Sequence, residues 1–358
     1  MIFDSESVFE ENVITVLKQH GWKDGVLRYP TERDLLDNWK GILYRNNNDI
    51  DRLGKYPLTD GEMTQIIEQI ETLRTPLALN SFVNGRTVSI TRDNKEDVAH
   101  FGKEVSLYIY DRKEIAGGKS TYQIAQQPVY PAKNKMLNSR RGDLVLLING
   151  MPLIHIELKK SGIPVSQATN QIEKYAHEGV FTGLFRLVQI FVAMNPDDAV
   201  YFANPGVDKF NPSYYFHWAD YNNEPICGGQ NPGKDEWKLF IGGTSGTAGL
   251  LSIPMAHQLI GFYTIADSAD GCLKVLRSYQ YIAANAISDV VRKCDWEQRP
   301  ATPGRPGGYV WHTTGSGKTM TSFKSAQLIA DSHDADKVVF LMDRIELGTQ
   351  SLKEYRSF

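Results

Sequence analysis

Apolar residues recur with helical spacing near the start of the chain. Phe9, Val13, Val16 and Leu17 fall on one face, Ser5 stands at the N-cap position, and Gly21 ends the run. Residues 30–78 read as mostly helical and polar. The pattern alternates over 105–110 and predicts a strand. Residues 112–119, with Gly117-Gly118, read as a turn-rich connection. Two apolar runs, 143–148 and 153–158, then flank Asn149-Gly150, a strong hairpin signal. A helix is predicted over 166–177, and the apolar run 187–194 reads as a buried strand.

The texture changes over 204–254, where Pro, Gly, Asn and aromatic residues dominate. This stretch predicts irregular surface and a domain junction. Its Gly242-Gly243-Thr244-Ser245-Gly246 run is not followed by a lysine, which argues against a phosphate loop there. After Leu276 the order becomes helix, loop, strand, helix, strand, with strands expected at 309–311 and 338–342. The fold class expected is α/β, in two units: residues 1–252, ending in the irregular junction, and residues 253–358.

The 358 residues suffice for two cores, with 41% hydrophobic and 23% charged residues, an ordinary globular composition. No apolar run approaches the roughly 18 residues of a membrane span, so no membrane partner is expected. The first residues carry neither a basic region nor an apolar core, unlike a secretory signal. Cys227, Cys272 and Cys294 form neither a disulfide framework nor CxxC spacing. A reducing cytoplasm is therefore expected. The net charge of −3 does not announce a nucleic-acid binder.

A phosphate-binding loop is readable after residue 311. Thr314, Gly315, Ser316, Gly317, Lys318 and Thr319 lead into a helix through Met320, Phe323 and Leu328. Glycines there let backbone N–H groups approach phosphate oxygens, and the helix N-terminus adds positive potential. Lys318 can reach the β- and γ-phosphates and Thr319 can ligate Mg²⁺, which implies ATP. His312 stands where the general pattern has its first glycine. Upstream, RSYQ (277–280) resembles the adenine-reading glutamine motif of superfamily 2 helicases; a surface glutamine is the alternative for Gln280. Downstream, Asp343-Arg344 resembles the next helicase motif. Arg344 there either contacts the nucleic-acid backbone or serves as a helix-capping surface charge. Neither the second acidic motif nor a second motor lobe follows within the chain. The sequence therefore reads as a piece of a longer protein, with negligible ATPase activity on its own.

The hairpin carries the other chemistry. Glu157 and Lys159, two apart on a strand, share a face. If the turn centres on Gly150, Asp143 falls opposite Glu157 on that same face. Two carboxylates can hold Mg²⁺ through oxygen, and the lysine can orient water or stabilise charge in phosphodiester hydrolysis. Gln171 and Tyr175 lie four apart on the following helix. Glu6 and Glu10 either add a further acidic group to the metal site or form a solvated helix face. His155 shares the face of Glu157 by parity, with a supporting or structural role expected.

Asp143, the Glu157-x-Lys159 pair and Gln171-x-x-x-Tyr175 resemble the RecB-like branch of the PD-(D/E)xK nucleases, with Gly142 in place of that family's proline. In that family the Gln and Tyr contact DNA or buttress the site. A nuclease of this kind ahead of a superfamily 2 motor resembles the restriction (R) subunit of type I restriction-modification enzymes. RGDLVLLINGMPLIHIELKK (141–160), NQIEKY (170–175), YFAN (201–204) and GYVWHTTGSGKTMTSF (308–323) carry the resemblance, which is loose over 25–100 and 205–270. It implies a restriction-endonuclease-like domain and a partial RecA-like lobe. It also implies Mg²⁺, ATP, double-stranded DNA, and methyltransferase and specificity subunits as partners. The alternatives are a repair-type or type III helicase–nuclease, and a non-catalytic DNA-binding scaffold.

Overall fold

The computed structural model describes residues 2–115, 117–130, 140–229, 235–293, 307–342 and 345–358. The first helix, α1 (Glu6–Gln19), starts as its sequence demands: the Ser5 hydroxyl accepts from the Val8 amide, a cap worth about 1 kcal/mol. Phe9, Val13 and Leu17 form its buried face. Then follow β1 (Val26–Arg28), α2 (Glu32–Asn46), α3 (Asp60–Thr72), α4 (Pro76–Asn84) and a two-stranded ribbon of β2 (Thr87–Thr91) and β3 (Glu104–Tyr108). Thr31 and Thr59 each build a capping box at the starts of α2 and α3.

The centre is a six-stranded mixed sheet in the order β1-β4-β5-β6-β7-β8, where β4 is Tyr122–Gln126, β5 Leu144–Ile148, β6 Met151–Leu158, β7 Ile190–Met194 and β8 Ala199–Ala203. The β4–β5, β5–β6 and β7–β8 pairs are antiparallel; β1–β4 and β6–β7 are parallel. Every residue of β5 and β6 is buried, because helices cover both faces. α5 (Val165–Glu178) packs on β6 and β7, while α1 packs on β6 and on α6 (Glu236–Gly242). The expected irregular stretch 204–254 is mostly turn and coil, with α6 and a short 3-10 turn inside it.

Beyond it come α7 (Met255–Gly261), the β9 (Thr264–Asp267)–β10 (Cys272–Val275) hairpin, α8 (Ser278–Lys293), α9 (Lys318–Ser332) and α10 (Ile345–Ser357). One buried cluster runs from Phe3 through the sheet to Leu276, so residues 253–276 share the core of the preceding residues. Residues 309–311 and 338–342, expected as strands, are not strands. Tyr309, Trp311, Val339 and Leu341 are exposed. A strand exists only through ladder bonds to a neighbour, and among the described residues these runs have none. No described helix is long and apolar enough to cross a membrane.

Candidate functional site

The β5–β6 hairpin closes on Asn149 (φ 52°) and Gly150 (φ 84°), a two-residue turn needing two left-handed residues. A Cβ on Gly150 would also meet the backbone of Trp39 on α2 at 2.9 Å. Ile148 pairs with Met151 and Leu147 with Pro152, but Leu146 pairs with Ile154. Leu153 is therefore the extra residue of a β-bulge. Without it, Asp143 would oppose Ile156, and Glu157 and Lys159 would face away from it. With it, the register Leu144–Ile156, continued one step outward, sets Asp143 opposite Glu157. Asp143 Oδ2 accepts from the Leu158 amide at 2.7 Å.

Glu157 and Lys159 are buried, and Lys159 Nζ lies 3.4 Å from Glu157 Oε1 and donates to the Leu158 carbonyl at 2.9 Å. Glu157 Oε2 is buried without a hydrogen-bond partner. Burial raises the Glu157 carboxyl to about 7, with Lys159 pulling it back. Burial, then the charge of Glu157, raises Asp143 well above its ordinary range. A half-buried and a buried carboxyl facing each other, one oxygen without a hydrogen-bond partner, are a donor set that a hard divalent cation would complete.

The flanking residues sort into neighbours and supports. Glu6 Oε1 stands 3.7 Å from Lys159 Nζ. Glu10 is buried, and its carboxylate accepts from Gln126 Nε2 at 2.5 Å and Gln127 Nε2 at 3.3 Å. Its charge acts on Asp143. His155 lies under the site. Tyr130 Oη is 2.9 Å from its Nδ1, its Nε2 is 3.4 Å from Glu157 Oε2, and burial lowers its pKa to about 4, leaving it neutral. Gly142 is explained by the same packing: a Cβ there would meet Tyr130 Oη at 2.5 Å and His155 Cε1 at 2.9 Å. Gln171 Nε2 donates to Tyr175 Oη at 2.7 Å, which donates to the Arg141 carbonyl at 2.9 Å. This pair anchors the chain entering β5. Gln126, Gln127 and Tyr130 were not singled out in the sequence; they reach the site only through the sheet order.

The second constellation surrounds the loop before α9. Gly315 (φ 78°) and Gly317 (φ 82°) are left-handed, and Gly317 caps α9. Ser316 Oγ donates to the Thr313 carbonyl at 2.7 Å and lies 2.9 Å from His312 Nδ1, so His312 braces the loop from the position of the general pattern's first glycine. Lys318 Nζ donates to the Thr313 carbonyl at 3.2 Å. Thr314 is exposed and Thr319 half-buried beside Lys318. Gln280, only 3% exposed, accepts from the Arg277 amide at 3.0 Å and donates to the Gly317 carbonyl at 3.2 Å. Tyr279 Oη donates to the Ser316 carbonyl at 2.8 Å. The loop is thus held by the start of α8. Asp343 and Arg344 lie outside the described residues. No cluster of three or more His, Cys, Asp or Glu arranged to hold a metal occurs among the described residues, so any metal would rest mainly on Asp143 and Glu157.

Residues 4–210 match the family model for the type I restriction enzyme R protein N terminus. The chain belongs to this family of type I restriction enzyme R proteins. Residues 279–358 match the SWI2/SNF2 ATPase model. Over its whole length the chain is 31% identical to the type I restriction enzyme SsaAORF53P endonuclease subunit of Staphylococcus saprophyticus, and it covers 34% of that protein. It is 32% identical to the SauMSSORF170P endonuclease subunit of Staphylococcus aureus, again covering 34%. The EcoprrI endonuclease subunit of Escherichia coli is 26% identical over 87% of this chain and 90% of its own length. The chain therefore spans about a third of the length of its staphylococcal relatives.

Proposed function

We propose that this chain supplies the nuclease and the opening of the motor in the endonuclease subunit of a type I restriction enzyme. The observation that carries the proposal is the face shared by half-buried Asp143 and buried Glu157 and Lys159, with Glu157 Oε2 lacking a hydrogen-bond partner. We assign residues 1–252 to a PD-(D/E)xK nuclease unit and residues 253–358 to the start of a RecA-like lobe, whose first segment packs into the nuclease core.

Asp143 and Glu157 would hold Mg²⁺. When bound, the ion supplies Lewis-acid stabilisation of the charge that builds on the scissile phosphate. Asp143, fixed by the Leu158 amide, sets the position of the pair. Lys159 supplies a positive charge beside the site, to orient the attacking water or to offset the developing oxyanion. Gln171 and Tyr175 buttress the strand entry next to the DNA path, with Arg344 on the nucleic-acid backbone. Glu10 tunes Asp143 through its charge. Thr314, Gly315, Ser316, Gly317, Lys318 and Thr319, steadied by Gln280, would cradle the ATP phosphates, with Thr319 on the accompanying Mg²⁺.

In this reading, ATP-driven translocation along double-stranded DNA precedes cleavage. The complex includes methyltransferase and specificity subunits and works in the cytoplasm. The test is Asp143→Ala in the full-length subunit assembled with those partners. Cleavage should vanish while DNA-stimulated ATP hydrolysis continues. Cleavage that survives the substitution overturns the nuclease assignment.

A further inference from the structure

Tyr29 and Gln127, just past the ends of β1 and β4, both adopt left-handed backbone, at φ 55° and 47°. A side chain is strained there and glycine is not. At Gln127 the site accounts for the strain: its amide donates to the Asp143 carbonyl at 2.7 Å, and its side chain reaches Glu10. Burial does not account for it at Tyr29. Its amide donates to the Gln126 carbonyl at 2.8 Å, a bond that any residue but proline would make there, and Tyr29 is 51% exposed. Its ring faces a cation instead. The Arg141 guanidinium lies 5.9 Å from the ring centre, at the outer reach of a cation–π contact. Arg141 stands two residues before Asp143, with its carbonyl held by Tyr175. It is exposed, and among the described residues no carboxylate pairs with it. The neighbouring arginines differ: Arg140 forms a two-point ion pair with Glu178, and Arg28 pairs with Glu11.

Resting on the nuclease reading above, we propose that Arg141 contacts a backbone phosphate of the duplex next to the scissile one, and that Tyr29 is a positioning residue whose ring holds the guanidinium there. A net charge of −3 offers no general attraction for DNA, so the grip beside Asp143 and Glu157 falls to cations that no carboxylate neutralises. A guanidinium presents two parallel N–H groups to a phosphate, a geometry that suits positioning. Two residues of extended chain span roughly 7 Å, which keeps Arg141 within reach of the phosphate adjoining one seated on the carboxylate pair. Backbone strain kept at an exposed aromatic residue is characteristic of a functional contact rather than of packing.

The test follows single-turnover cleavage of long DNA by the full-length subunit assembled with its partners. Translocation is recorded in the same reaction, so that the cutting step is seen separately. Arg141→Ala should slow cutting at least about tenfold, the scale of one charge-assisted hydrogen bond, and flatten the fall of log rate with log salt by about one unit. Arg141→Lys, which keeps the charge, should keep the parent's salt slope. Tyr29→Phe should cut like the parent, and Tyr29→Ala should slow cutting about threefold. Tyr29→Gly removes both ring and strain, so it should melt above Tyr29→Ala yet cut no faster. Parent-like cutting in Arg141→Ala and Tyr29→Ala overturns the proposal. So does slower cutting in Arg141→Ala with the salt slope unchanged, which would make Arg141 a structural residue. Recovery of cutting in Tyr29→Gly overturns the role given to the ring. Asp143→Ala, run in parallel, keeps the two readings apart. If it still cuts, the nuclease reading fails, and this proposal with it. If it does not cut while the Tyr29 and Arg141 variants cut normally, only this proposal fails.

Discussion

Asp143 Oδ2 accepts a 2.7 Å hydrogen bond from the amide of Leu158, so one carboxylate of the pair is pinned to the strand that carries the other. Glu157, immediately before Leu158, keeps its Oε2 without a partner. Burial is what makes ionisation of the two carboxyls costly, and the charge of Glu157 adds to that cost at Asp143.

That cost predicts a pH dependence. In the unfolded chain Glu157 ionises near its ordinary 4.5; in the fold, burial holds it at about 7. Over this window the unfolded chain gives up its proton first, so metal-free stability falls as pH rises from about 4.5 to 7. The upward shift of Asp143 acts in the same direction. For Glu157 alone the loss is on the order of 3 kcal/mol. Thermal melts in EDTA should therefore show a lower Tm at pH 8 than at pH 5. Glu157→Gln should flatten that slope. Mg²⁺ should raise Tm at pH 8 and do little at pH 5, where protons compete for the carboxylates. A Tm insensitive to Mg²⁺ at pH 8 would count against the metal assignment.

Gly150→Ala tests the hairpin. The left-handed φ costs about 1–2 kcal/mol with a side chain, and overlap with the Trp39 backbone adds about 1–3 kcal/mol. A loss of about 2–5 kcal/mol is expected from the urea midpoint. Gly162→Ala, also at positive φ but with open space around it, should cost only the smaller conformational part.

The hairpin, the flanking helices and the phosphate loop were legible because each rests on local signals: an Asn-Gly turn, a Ser cap, a glycine–lysine run. The bulge at Leu153 was not legible. A two-residue turn alone would put Asp143 and Glu157 on opposite faces, and only packing decides where an extra residue sits. Strand β4 was missed because its Gln123 and Gln126 interrupt any apolar pattern. Those glutamines face Asn38 and Glu10, partners distant in sequence. The strands expected at 309–311 and 338–342 failed for the opposite reason: their composition suits a strand, but a ladder needs a neighbour.

Arg92 should be the most sensitive position away from the sheet. It is fully buried and donates to Glu62 Oε2 at 2.7 Å, Asp97 Oδ2 at 3.1 Å and the Tyr56 carbonyl at 3.1 Å. Arg92→Met strips the guanidinium from two buried carboxylates, leaving Glu62 with the Thr59 and Asp93 amides and Asp97 with His100; removing one partner of such a buried network typically costs about 3–5 kcal/mol. Adding Glu62→Gln and Asp97→Asn should recover part of that loss. If the single variant melts like the parent, the network contributes nothing to stability.

Lys318→Ala separates the two chemistries proposed for the subunit. Lys318 stands at the first turn of α9 with its ammonium on the Thr313 carbonyl, inside the loop that Gly315 and Gly317 shape. Lys318→Ala removes the one side chain of that loop able to reach the β- and γ-phosphates, and it touches nothing in the Asp143–Glu157 pair. In the full-length subunit it should therefore abolish ATP hydrolysis and translocation. Under the proposed function, in which translocation precedes cutting, cleavage of long DNA should fall with them. Mg²⁺ stabilisation at pH 8 should persist, since it reads only the carboxylate pair. A Lys318→Ala enzyme that still turns over ATP would remove the loop from the motor. One that loses Mg²⁺ stabilisation would show that the two sites are not separate.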